Sequence, residues 1–83
     1  MKVLYFAWVR ERVGVPEEDV QPPPEVRTVG DLIAWLGARG PGHAYAFERP
    51  QVIRAALDHV HAPHDAPLGA AREVALFPPM TGG

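Results

Sequence analysis

Between a triple proline and a Gly-Pro pair the chain carries one long amphipathic repeat, Thr28 to Arg39, and any fold for it has to be built around that segment. Val29, Leu32, Ile33 and Leu36 recur at the i, i+3, i+4, i+7 spacing of a helix with a single core-facing stripe. Thr28 is placed to cap the N-terminus, and Asp31 follows three residues later, beside the positive end of the helix dipole. At the other end Arg39 suits the last turn, Gly40 reads as a left-handed cap and Pro41 stops continuation. Trp35 falls off the stripe, flanking the core or half exposed.

The remaining apolar runs are short and read as strands. Lys2 to Val9 is rich in aromatic and β-branched residues, with Val3, Tyr5, Ala7 and Val9 on one face and Leu4, Phe6 and Trp8 on the other. Both faces are apolar, which suits a central strand or one whose second face meets a partner. Arg10-Glu11-Arg12 ends the run, Gly14 is a turn, and Val15 to Val20 returns as a more polar edge strand. Gln21 to Pro24 cannot join a sheet interior and is a loop. His43 to Glu48 is a short helical turn, Val52 to Leu57 a third strand, Asp58-His59 a turn, and Val60 opens a fourth strand. Pro63 to Pro67 breaks regular structure, and Glu73 to Phe77 is the last strand, with Val74 and Leu76 opposite Ala75 and Phe77. The order is ββαβββ, without internal repeat: an α+β domain over residues 1–77 with one main helix packed across a mixed sheet.

Composition removes several classes of function. Eighty-three residues make one domain with one core. A net charge of −2 leaves no basic footprint for nucleic acid or an anionic membrane. No apolar run reaches bilayer length, and the opening residues lack a signal-peptide cleavage site, so the expected location is the cytoplasm. Cysteine and serine are both absent, which excludes disulfides, thiolate metal sites and the common acyl-transfer triads. There is no phosphate-binding loop, and the only lysine is Lys2. His59, His61 and His64, with Asp58 and Asp65, are the only cluster resembling metal ligands; His59 and His61 would share a strand face. Their spacing is loose and no further ligand pattern supports it, so exposed loop histidines are the preferred reading and no metal is expected.

The last six residues, Pro78-Pro79-Met80-Thr81-Gly82-Gly83, are the expected working part. Proline fixes φ and lacks an N–H, so Pro78-Pro79 should end the strand and send the tail out stiffly. Six extended residues reach about 20 Å. Gly82-Gly83 adds no side-chain bulk, so a carboxylate at the tip can enter a narrow channel; a frayed, inert end is the alternative.

The opening Val3-Leu4-Tyr5-Phe6-Ala7-Trp8-Val9-Arg10-Glu11, the helix start Thr28-Val29-Gly30-Asp31-Leu32 and the ending Glu73 to Gly83 together resemble the small subunits of molybdopterin synthase, ubiquitin-like β-grasp sulfur carriers. The resemblance covers nearly the whole chain. It implies that Gly83 is adenylated by an ATP- and magnesium-using activating enzyme, converted to a thiocarboxylate by a sulfur donor protein, and inserted into the large synthase subunit. There its sulfur passes to cyclic pyranopterin monophosphate. An α-carboxylate with an ordinary pKa of about 3.5 is a poor electrophile at neutral pH, which is why activation must come first. Gly82 then provides the slim passage, Thr81, Met80 and Pro79 line the partner's channel, and Phe6, Arg10 and Phe77 match positions of the partner-binding surface. Phe6 and Phe77 as ordinary core is the competing reading. The chain would bind no cofactor and would not be catalytic alone; its complex with the large subunit would be a heterotetramer. A carrier for thiazole or tRNA thiolation, and a ubiquitin-like protein modifier, are the alternatives. Two departures from the family pattern stand out: Gly69-Ala70-Ala71-Arg72 precedes the last strand, and His61 occupies a usually apolar position.

Overall fold

The computed structural model describes residues 1–79; the expectations for Met80, Thr81, Gly82 and Gly83 lie outside the described residues. Five strands form one sheet: β1 (Lys2–Tyr5), β2 (Glu17–Asp19), β3 (Arg54–Leu57), β4 (Val60–Ala62) and β5 (Glu73–Phe77), in the order β2-β1-β5-β3-β4. β1 and β5 are parallel neighbours, with Val3 opposite Val74 and Tyr5 opposite Leu76; every other pairing is antiparallel. The helices are α1 (Ala7–Val13), α2 (Val29–Gly37) and α3 (Pro41–Ala46), with a 3₁₀ turn at Pro50–Val52. This is the β-grasp arrangement, with α2 as its main helix and two short helices added.

Alternation along the strands separates two faces. Val3, Tyr5, Ala55, Val74 and Leu76 are buried on one side of the sheet and meet Val29, Leu32, Ile33 and Leu36 of α2 in one continuous core. Thr28 caps α2 as expected. Its Oγ1 accepts from the Asp31 amide at 3.1 Å, while the Asp31 carboxylate accepts from the Thr28 amide at 3.2 Å, a reciprocal capping box. The Arg27 amide also donates to this carboxylate at 3.1 Å, and together with the Thr28 amide it holds the Asp31 carboxyl below its ordinary range.

Several boundaries differ from the sequence reading. The first strand stops at Tyr5, and Trp8 and Val9 belong to α1 rather than to a strand. Ala7 makes the break: its φ of 52° is left-handed, turning the chain sharply out of the sheet. The helix then buries Val9, packs Val13 at the core edge and closes on Gly14, whose φ of 100° gives a left-handed cap. Helix α2 ends at Gly37, two residues before Arg39, and Gly40 is extended (φ 171°) because it begins the next helix. Pro41 therefore starts α3 instead of merely ending α2, and the helical turn expected over His43–Glu48 spans Pro41–Ala46. The third strand begins at Arg54, since Pro50–Val52 closes the 3₁₀ turn.

Helices α1 and α3 lie together. A Cβ on Gly42 would stand 2.8 Å from the Arg12 carbonyl oxygen, so the approach needs glycine. The Arg12 guanidinium sits 4.4 Å from the Trp8 ring centre and 4.1 Å from that of Tyr45, and lies 3.6 Å from Glu48. Such cation–π contacts contribute about 0.5–1 kcal/mol each at exposed sites. Asp58-His59 forms the expected turn, both residues at positive φ (47° and 73°), a type I′ hairpin. The Asp58 carboxylate also accepts from the amides of Arg72 and Glu73 at 3.0 Å, pinning the start of β5.

Candidate functional site at the tail root and the outer sheet face

β5 runs up the middle of the sheet and stops at Phe77, where Pro78 can donate no ladder hydrogen bond. Its neighbours fix where the tail leaves. β1 ends beside it and turns into α1, while the turn before β3 closes on the other side. Pro78 and Pro79 therefore leave the sheet at the end where α1 begins and the Pro50–Val52 turn leads into β3, and both are half-buried.

The face of the sheet away from α2 has no covering layer among the described residues. Leu4, Ala56, Ala75 and Phe77 alternate with the core residues and so point outward, half-buried. The Phe6 amide donates to the Leu76 carbonyl at 3.1 Å, continuing the β1–β5 ladder and bringing Phe6 alongside Phe77. Phe6 is 45% exposed, and neither phenylalanine belongs to the buried core, which corrects the reading of both as ordinary core. Arg10 lies one helical turn beyond Phe6 on α1 and is exposed. The structure thus gathers Phe6, Arg10, Phe77 and Pro79 around the root of the tail.

Phe6 also occupies the N-cap position of α1, where it makes no side-chain hydrogen bond. Apolar residues are poor caps, costing about 1 kcal/mol relative to Asp, Ser or Thr. The adjacent left-handed Ala7 adds about 1–2 kcal/mol of backbone strain. An exposed ring held at a local cost to stability points to use on the surface.

The histidines do not converge. His59 lies in the hairpin turn rather than on a strand face with His61, and its Nε2 is 3.5 Å from Glu73. His61 stands edge-on to Phe77, ring centres 6.3 Å apart, and His64 Nε2 donates to the Ile53 carbonyl at 2.6 Å. Among the described residues no group of three or more His, Cys, Asp or Glu side chains could hold a metal ion.

The sequence reading missed a polar network on the core side of β2. Tyr5 donates its hydroxyl to Glu18 Oε2 at 2.6 Å, and His43 Nε2 donates to the same oxygen at 2.7 Å; Arg39 lies 3.6 Å from Oε1. Burial, then the Glu18 hydrogen bond, pushes the Tyr5 hydroxyl pKa up. Burial would raise Glu18 too, but the His43 and Tyr5 hydrogen bonds and the Arg39 charge outweigh it and hold the carboxyl below its ordinary value of 4.5. Because folded Glu18 binds its proton more weakly than unfolded Glu18, the network stabilises fully above about pH 4.5 and is lost as pH falls through the lowered value. Glu18→Gln is expected to cost about 1–3 kcal/mol at pH 7 and progressively less as pH falls below about 4.5. Denaturant melts across that range measure this; a loss that does not shrink with falling pH would refute it.

Among the described residues no helix is long and apolar enough to cross a membrane. The chain is 39% identical over 83 residues to the molybdopterin synthase sulfur carrier subunit of Escherichia coli (strain K12), covering 100% of this chain and 99% of that protein. It is 30% identical to the protein of the same description from Haemophilus influenzae, with the same coverage. Its fold is similar to the crystal structure of small archaeal modifier protein 1 from Haloferax volcanii: TM-score 0.72, 26% identity, covering 96% of this chain and 97% of that one. The model of the ThiS family matches residues 3–83, and the chain belongs to that family.

Proposed function

We propose that this protein is the sulfur-carrying small subunit of a molybdopterin synthase, and that Gly83 carries the sulfur. The observation that supports this most is the root of the tail. The central strand delivers Pro78-Pro79 beside the start of α1, where Phe6 and Arg10 are exposed, in a chain similar along its whole length to sulfur carrier subunits. The chemistry is the one that the resemblance to sulfur carrier subunits implies. The Gly83 carboxylate attacks the α-phosphorus of ATP on an activating enzyme and expels pyrophosphate. Sulfur from a donor protein then displaces AMP to leave a thiocarboxylate. The loaded tail enters the large subunit, with Phe6, Arg10 and Phe77 docking on its surface while Pro79, Met80, Thr81 and Gly82 line the channel. Sulfur passes there to cyclic pyranopterin monophosphate, and two such transfers complete the dithiolene. A heterotetramer of two small and two large subunits is the assembly proposed, in the cytoplasm.

Incubation with the activating enzyme, magnesium-ATP and a sulfur source is expected to replace one oxygen by sulfur in the C-terminal peptide, read by intact-mass and fragment mass spectrometry. No exchange at Gly83 would overturn the reading. The likeness to small archaeal modifier protein 1 favours a second reading, attachment of Gly83 to protein lysines. Conjugate ladders that vanish when Gly83 is deleted would support it.

A further inference from the structure

The outer face is apolar at its centre and cationic along one border. Pairing of β3 with β5 sets Arg54 opposite Phe77, and pairing of β3 with β4 sets His61 opposite Ala56. Alternation sends all four side chains to the same face. Arg54 and His61 are diagonal neighbours across β3 and β4, roughly 7–8 Å apart at the backbone, within reach of one shared ligand. Both are exposed, and both line a groove of about 300 Å³ with Gln51, Pro63 and His64.

The surrounding charges leave this pair without an acid. Glu73 faces His59 at 3.5 Å and Glu17 faces Lys2 at 3.2 Å; among the described residues no carboxylate pairs with Arg54 or His61. His64 turns its Nε2 to the Ile53 carbonyl and serves as a wall. An exposed arginine offers a planar fork that matches a carboxylate, and the imidazole beside it supplies a further N–H. This ledge is continuous with Phe77 and hence with the apolar patch around the tail root.

Resting on the docking reading above, we infer that Arg54 and His61 receive an aspartate or glutamate side chain of the large subunit. The apolar patch supplies most of the contact; the ledge sets orientation and speeds encounter, as charges at an interface border do. The occupant is acidic because the border is cationic. It belongs to the large subunit because the border adjoins the surface on which that subunit docks.

The test measures binding of the full chain to the large subunit at low and high salt, with melting curves as a check on folding. Arg54→Glu is expected to weaken binding by about tenfold or more at low salt and by clearly less at high salt. Arg54→Lys, which keeps the charge but loses the fork, is expected to weaken binding less than Arg54→Glu, and one acid-to-lysine change on the large subunit to restore binding of Arg54→Glu. If Arg54→Glu and His61→Glu both bind as the unaltered chain does while Phe6→Asp does not bind, the ledge is refuted and the docking surface stands. If Phe6→Asp also binds normally, the docking reading itself has failed.

Discussion

Phe6→Asp is expected to abolish capture by the large subunit while leaving the domain at least as stable as before. The two effects have separate causes. Phe6 is 45% exposed, so its ring contributes little to the core, but it forms the centre of the outward patch with Phe77. A charge there must be desolvated against apolar surface on docking, and aromatic anchors at interface centres cost about 2–4 kcal/mol when lost. At the same position the backbone is an N-cap in extended conformation, with φ −128° and ψ 154°. Aspartate suits such a site, through its side-chain acceptor and its charge beside the positive helix end, so thermal stability should hold or rise by about 1 kcal/mol. Size-exclusion chromatography of the mixed subunits reads the first effect and a melting curve the second. A variant that docks normally would remove Phe6 from the interface; one that unfolds would assign it a structural role.

Leu76→Ala is expected to be the most damaging single change in the domain. Leu76 is fully buried on β5, between Tyr5 on β1 and Ala55 on β3. Truncation leaves a cavity in the middle of a sheet paired on both sides, where the backbone has little freedom to collapse. Leucine-to-alanine changes at such sites cost about 3–5 kcal/mol. For a domain of this size that lowers the melting temperature by on the order of 20 °C. Differential scanning calorimetry measures it, and a loss under about 1 kcal/mol would show that the core relaxes around the gap. Because β5 leads into the tail, the same variant should deliver sulfur poorly near its melting temperature and normally well below it.

Helix α2 was legible because its signals are local: a capping threonine, an acid three residues on, and an uninterrupted apolar stripe. The same holds for β5, whose bounds are those expected from Glu73 to Phe77. Helix α1 was hidden because Lys2 to Val9 alternates like a strand and contains few strong helix formers. What makes it a helix is distant in sequence: the close approach of Gly42, and Tyr45 stacked on Arg12. Gly14 and the Val9–Val13 spacing were the only nearby hints. The outward roles of Phe6 and Phe77 could be framed from the sequence but not decided, since exposure depends on which face α2 covers. Arg54 was unreadable as part of the site: only the β3–β5 register sets it opposite Phe77. The Tyr5–Glu18–His43 network joins residues up to 38 positions apart, a separation no local pattern reveals.

A thread pulled from a tight channel transmits tension to whatever anchors it. Here the anchor is a strand gripped by a ladder on each flank, parallel to β1 and antiparallel to β3. Traction along that axis loads both ladders at once, in shear, so no end rung can be peeled first. Under the proposed function, this grip would let the tail be drawn in and out of a partner without the globule unravelling at its seam.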